Sequence, residues 1–198
     1  MAKENAVKGD IVISGISKNF GDQVVLNGFS AVLRQGTVTA LMAPSGAGKT
    51  TLLNILLGLV PSDSGEITGL NGRKISAVFQ EDRLFPGADA YSNVNSVSDK
   101  NLTPAELDKE FAALGLTDYV GKPVKELSGG MKRRIAIARA LLSDYDFLVL
   151  DEPFKGLDEA LKNKVIEYVK EKTAGKTVLL VTHDIREANA FSATVINL

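Results

Sequence analysis

The segment that most constrains this chain is a short apolar run at residues 37–42, which feeds directly into Ala43-Pro44-Ser45-Gly46-Ala47-Gly48-Lys49-Thr50. Helix formers continue from Thr50 to residue 59, so the order reads strand, glycine-bearing loop, helix. That order points to an α/β chain in which a buried strand delivers a phosphate-binding loop onto a helix N-terminus. Gly46 and Gly48 let the backbone wrap so that consecutive N–H groups point inward at a phosphate, and the helix dipole adds to them. Lys49 offers a compact positive charge to β- and γ-phosphates, and Thr50 offers a hydroxyl to Mg²⁺. Ser45, Ala47 and Thr51 complete the set of loop residues expected to touch the nucleotide. The strict pattern opens with glycine, whereas Ala43 stands here. Alanine at positive φ would cost about 1 kcal/mol; at negative φ it is harmless, and the second case is expected because the inner glycines are kept.

The rest of the chain agrees with α/β. At 198 residues it fits one compact domain, expected over 1–198. Residues 10–17 and 29–33 are β-rich, with Asn27-Gly28 and Gln35-Gly36 read as turns and residues 61–71 as turn-rich. Residues 75–79 read as a strand. Hydrophobic density falls between 81 and 126, where Thr103-Pro104-Ala105-Glu106 has the form of a helix start. Thereafter helix and strand alternate: 130–143, 147–150, 159–173, 177–181, 185–190, 194–198. The expected architecture is a parallel-sheet core at about 1–80 and 144–198, an antiparallel β subdomain at the N-terminus, and a small helical lobe at about 81–143.

Charge and composition exclude several classes. The formal net charge is −1, which offers no broad nucleic-acid footprint, and there is no cysteine for a disulfide framework or thiolate site. Residues 1–10 do not resemble a signal peptide, and the longest apolar stretch, 52–60, is interrupted by Asn54 and Gly58 and far too short to span a bilayer. Any link to a membrane is expected to run through a partner.

A second constellation follows the loop. Phe147-Leu148-Val149-Leu150 ends in Asp151-Glu152. A carboxylate at the tip of a central strand can hold a Mg²⁺ shell, and the next can accept a proton from attacking water. Between loop and acidic strand lies Leu127-Ser128-Gly129-Gly130, ahead of a helix with Met131, Ile135, Ala138 and Leu142 on one face. Serine hydroxyl and glycine N–H groups at a helix start form a second anion site.

In this order the motifs resemble the nucleotide-binding domain of ATP-binding cassette (ABC) transporters over nearly the whole chain, within the P-loop NTPase class. The resemblance implies that Ser128, Gly129 and Gly130 bind the γ-phosphate of ATP held by an opposite subunit. It further implies that Gln80 touches Mg²⁺ and the attacking water, that His183, the only histidine, contacts the γ-phosphate, that Asp158 lies in a loop crossing the dimer interface, and that Phe20 stacks on adenine. Met131 and Lys155-Gly156 depart from the commoner family residues at those positions. The implied activity is Mg²⁺-dependent ATP hydrolysis. Lys49, Gln80, Glu152 and His183 would be its catalytic residues, and Thr50, Gln80 and Asp151 its metal ligands.

The implied partners are a second nucleotide-binding subunit, transmembrane permease subunits and a substrate-binding protein, with no nucleic acid. The implied place is the cytoplasm, peripheral on the inner face of the cell membrane. Glu152-Pro153-Phe154, Phe79-Gln80-Glu81-Asp82 and residues 181–188 resemble nitrate, sulfonate and taurine importers. The sequence runs only a short way past His183, so no C-terminal regulatory domain of the sort some importers carry is expected. Exporter and non-transport ABC ATPases stay as alternatives. A chromosome-maintenance ATPase would need a long coiled coil between loop and Ser128, and a kinase or GTPase would lack the second anion site.

Overall fold

The computed structural model describes residues 9–44, 46–99 and 101–198. Its strands are β1 (Ile11–Phe20), β2 (Gln23–Leu33), β3 (Val38–Met42), β4 (Ser64–Thr68), β5 (Ile75–Val78), β6 (Phe147–Asp151), β7 (Thr177–Val181) and β8 (Thr194–Asn197). Its helices are α1 (Lys49–Leu56), α2 (Ala90–Asn95), α3 (Pro104–Ala113), α4 (Gly129–Leu142), α5 (Glu159–Thr173) and α6 (Ile185–Ala190), with a 3₁₀ turn at Val124–Glu126. The strands form two sheets: antiparallel β2-β1-β4, and all-parallel β5-β6-β7-β3-β8.

The apolar runs of β6 and β7 are buried at every position, as strands covered on both faces must be. Side-chain alternation divides them between two cores. Phe147, Val149, Leu179 and Val181 point to one side, against Leu52 and Leu56 of α1 and Ile11, Ile13 and Ile16 of β1. Leu148, Leu150, Val178 and Leu180 point to the other, against Ile135, Ala138 and Leu141 of α4 and Val165, Ile166 and Val169 of α5. Leu107 and Phe111 of α3 join that second cluster, and Val94 of α2 with them. The α3 start is a complete capping box: Thr103 Oγ1 accepts from Glu106 N at 3.4 Å, and Glu106 Oε2 accepts from Thr103 N at 2.8 Å.

Three expectations are corrected. Asn27-Gly28 lies inside β2, and the hairpin turns instead at Gly21-Asp22. Gly28 adopts φ 68° in an irregular stretch of the β1–β2 ladder and its N–H reaches Ser17 Oγ at 2.9 Å, so the dipeptide makes a bulge rather than a reversal. Residues 61–71 contain β4, whose polar sequence hides a strand held by pairing with β1. Gly65 is required there, because a Cβ at its φ of 83° would lie 2.4 Å from Gly15 O. Helix α1 also ends earlier than expected, at Leu56, because Gly58 turns left-handed at φ 69°.

Candidate active site

The parallel register brings four strand ends to one edge. Leu41 and Asp151 both sit level with Val181, and Val78 sits level with Leu150. The loop after β3, the carboxylates at the end of β6, Thr182 and His183 after β7, and Gln80 after β5 therefore emerge together. Such carboxyl-terminal strand edges are where open α/β sheets bind ligands.

The loop is built for a tight wrap. Gly46 and Gly48 have φ of 83° and 94°, which only glycine adopts without strain. Gly48 also packs against the antiparallel sheet, where a Cβ would meet Val25 O at 2.8 Å. Ala43 is not among the residues at positive φ, so alanine costs nothing there. Lys49 Nζ donates to the carbonyls of Ala43 (2.6 Å) and Pro44 (2.9 Å), placing its charge across the loop. Thr50 is exposed and Thr51 half-buried on the first turn of α1. Ser45 lies outside the described residues. Phe20 is 52% exposed at the hairpin end, with Lys18 Nζ 5.5 Å from its ring centre, so it is not a core residue and presents a free aromatic face.

At the end of β6 the two carboxylates differ. Asp151 is buried, and no hydrogen bond from a described residue reaches its side chain. Burial, then the neighbouring Glu152 charge, push its carboxyl above the usual range, against the pull of Arg133, Lys49 and Lys155. Glu152 occupies φ 44°, a strained setting for a long side chain, with its N–H bonded to Val181 O at 2.9 Å. Burial raises the Glu152 carboxyl, but Lys155 and His183 outweigh it and the net shift is downward. Lys155 Nζ is 3.1 Å from Oε2, a charge contact without hydrogen-bond alignment, and His183 Nδ1 is 3.6 Å from Oε1. His183 is itself 70% exposed. A 220 Å³ cavity joins Glu152, Lys155 and His183 to Lys162 and Glu187.

The remaining predicted residues stand apart. Ser128 caps α4, accepting from Met131 N at 3.3 Å, and Leu127 anchors it in the core while Ser128 and Gly129 are exposed. Asp158 caps α5 through Leu161 N at 3.0 Å. Among the described residues no hydrogen bond or ion pair joins Ser128, Gly129 or Gly130 to the loop at 46–51.

Two groups escaped the sequence reading. Arg133 is buried on α4 and reaches the backbone after both β5 and β6. A paired Arg133-Arg134 that the structure buries on α4 was the visible signal. The second group holds the turn after β7: Lys162 bridges Asp184 (2.9 Å) and Glu187 (2.6 Å), and Thr182 Oγ1 donates to Glu187 at 2.5 Å. Hydrogen bonds from Arg186 and Lys162 hold the Asp184 carboxyl far below the usual carboxylate range. This group depends on residues of α5 and α6 meeting in space, which spacing alone does not reveal.

Comparison with known proteins gives a consistent picture. Residues 26–155 match the family described as ABC transporter. The chain is 40% identical over 182 residues to the aliphatic sulfonates import ATP-binding protein SsuB 3 of Rhodococcus jostii, covering 90% of this chain and 67% of that one. It is 38% identical to the taurine import ATP-binding protein TauB of Roseobacter denitrificans, covering 89% and 72%. Spermidine/putrescine import relatives are longer, and the chain spans 44% of the one from Bacteroides fragilis. Among solved structures, the dimeric structure of MJ0796, a bacterial ABC transporter cassette, superposes with a TM-score of 0.81 at 28% identity, covering 95% of this chain and 94% of that one. Family match, relatives and superposition each extend over most of the chain, and on that ground it belongs to the ABC transporter family, as an ATP-binding and ATP-hydrolysing cassette.

Proposed function

We propose that this chain hydrolyses ATP as one of two cassettes that clamp two nucleotides head to tail, powering the import of a small solute through permease subunits. The observation that carries this reading is the convergence of the Lys49 loop, Asp151-Glu152, Thr182-His183 and Gln80 at one sheet edge.

In this reading the amides of Gly46, Ala47 and Gly48 and the Lys49 ammonium neutralise β- and γ-phosphate charge, with Phe20 against the adenine. Mg²⁺ fits the residues present: Asp151 is a buried carboxylate lacking a hydrogen-bonded partner among the described residues, and Thr50 and Gln80 lie on adjoining segments. Such an ion takes few protein ligands and completes its shell with phosphate and water. Thr50, Gln80 and Asp151 would hold it, and it would supply neutralisation of phosphate charge.

Glu152, ionised at neutral pH, orients the attacking water and accepts its proton as water oxygen bonds to the γ-phosphorus and the bond to the ADP oxygen breaks. His183 fixes the γ-phosphate. Ser128, Gly129 and Gly130 serve the nucleotide of the opposite chain, with Asp158 near the crossing. Gly129 has neither positive φ nor any atom of a described residue within 4 Å of an added Cβ, so nothing among the described residues demands glycine there, which supports close approach by a group from outside.

The division into a core at about 1–80 and 144–198 and a helical lobe at about 81–143 belongs to the same reading, with permease docking beside Gln80. A substrate-binding protein and a cytoplasmic position on the membrane's inner face belong to the same proposal, which the names of the import relatives support. No helix among the described residues is long and apolar enough to cross a membrane.

The test is the ATPase rate per chain as protein concentration rises. It should increase steeply, and Glu152→Gln should hold an ATP-bound dimer while hydrolysis falls about 100-fold or more. A rate per chain independent of concentration, with a strictly monomeric Glu152→Gln protein, would overturn the reading.

A further inference from the structure

Arg133 is the most densely bonded side chain near the site, and the hydrolysis scheme above leaves it without a role. It projects from α4 and is only 5% exposed. One edge of its guanidinium reaches the segment after β5: Nη1 donates to Phe79 O, to Gln80 O at 3.4 Å and to Asp82 Oδ1 at 3.2 Å. The other edge reaches the turn after β6: Nη2 donates to the carbonyls of Asp151 and Glu152, each at 2.6 Å, and Nε to Pro153 O at 3.1 Å. Five consecutive-segment carbonyls from two strand ends thus share one planar cation.

The turn held this way is the one that carries Glu152 at φ 44°. A strained backbone persists only where its surroundings over-determine it. Three of the guanidinium's bonds end on residues 151–153, and two more end on residues 79 and 80. No other side chain among the described residues bonds both segments. Arg139 reinforces only the first, donating to the carbonyls of Asp82 and Arg83 at 3.0 and 2.8 Å.

We propose that Arg133 is a positioning residue for hydrolysis. Its guanidinium locks the Gln80 segment to the Glu152 turn, so that displacement of one is transmitted to the carboxylate of the other. The inference rests on Glu152 acting on the attacking water. The planar five-donor fork is essential to it. Lysine keeps the charge but presents one compact ammonium and cannot reach both edges.

Arg133→Lys in the full chain tests this by two readouts. The first is amide hydrogen exchange without nucleotide: residues 79–83 and 151–156 should exchange faster together, by about 10-fold or more, while the α5 and β7 amides keep their protection. Unchanged exchange in either segment, or a rise throughout the chain, would overturn the proposal.

The second is kinetic. kcat should fall about 100-fold, the scale of an ångström misplacement of a reacting group, with KM for ATP changed less than about 3-fold. In a Glu152→Gln background Arg133→Lys should then cause little further loss, because the two act on one step. Full additivity would refute the coupling. Undiminished hydrolysis in Glu152→Gln alone would instead defeat the assignment of Glu152, and the exchange result would still decide whether Arg133 joins the two segments.

Discussion

Asp151 shows how folding can hold a carboxyl at a cost in stability. Burial and the adjacent Glu152 raise its carboxyl, so the folded chain resists its ionisation more than the unfolded chain does. The sign follows from proton counts. Below the ordinary carboxylate range both states hold the proton and there is no penalty. As pH rises past that range the unfolded chain releases its proton first, and stability falls until pH passes the raised folded value. Asp151→Asn should therefore raise Tm of the nucleotide-free chain at pH 7, at roughly 2–4 °C per kcal/mol for this size. The gain should shrink as pH approaches 4, and Mg²⁺-dependent nucleotide binding should weaken. Thermal melts of both proteins from pH 4 to 7 check this; a constant difference, or a loss at pH 7, would contradict it. The carboxylate pair was legible in the sequence. Its opposed shifts were not, because they arise from the depth to which folding buries each carboxylate and from where Lys155 and His183 fall against Glu152.

At the scale of elements, local chemistry wrote some boundaries and tertiary pairing wrote others. Thr103-Pro104-Ala105-Glu106 was readable because a capping box is completed within four residues, and the structure closes it. Thr103→Ala should cost about 1 kcal/mol, typical of a lost N-cap, and lower Tm by a few degrees without changing hydrolysis per folded chain. A denaturant titration gives the value, and no measurable change would mean the cap carries no weight. Strand β4 was not readable, since Ser64-Gly65-Glu66 has no strand pattern and its pairing depends on Gly65 meeting Gly15 across the sheet. Asn27-Gly28 has the local form of a hairpin, yet the Leu26, Phe29 and Leu33 positions keep the chain in register with β1 and turn it into a bulge. Arg133 was visible as a letter, but its carbonyl partners lie 18 to 54 residues away.

For the whole molecule, the parallel sheet places the candidate phosphate loop at its edge and sets Ser128 and Gly129 on an exposed helix start, with no hydrogen bond or ion pair to residues 46–51 among the described residues. Ser128→Arg should abolish concentration-dependent hydrolysis while leaving ATP binding to a single chain within about 3-fold, a substitution on a surface rather than in a core. Nucleotide titration beside the ATPase assay separates the two, and equal loss of both would mean that Ser128 acts within its own chain. The sequence by itself determined the α/β class and the family and pointed to the candidate phosphate loop and acidic strand end, because each is carried by contiguous residues whose spacing states their chemistry. Only the tertiary structure decided that Ala43 is unstrained, that Glu152 sits in a left-handed turn between Lys155 and His183, and that Arg133 binds two strand ends together. Those outcomes depend on backbone angles and on contacts between segments far apart in the chain, and a guanidinium finds five carbonyls only after the parallel register has brought them to one edge.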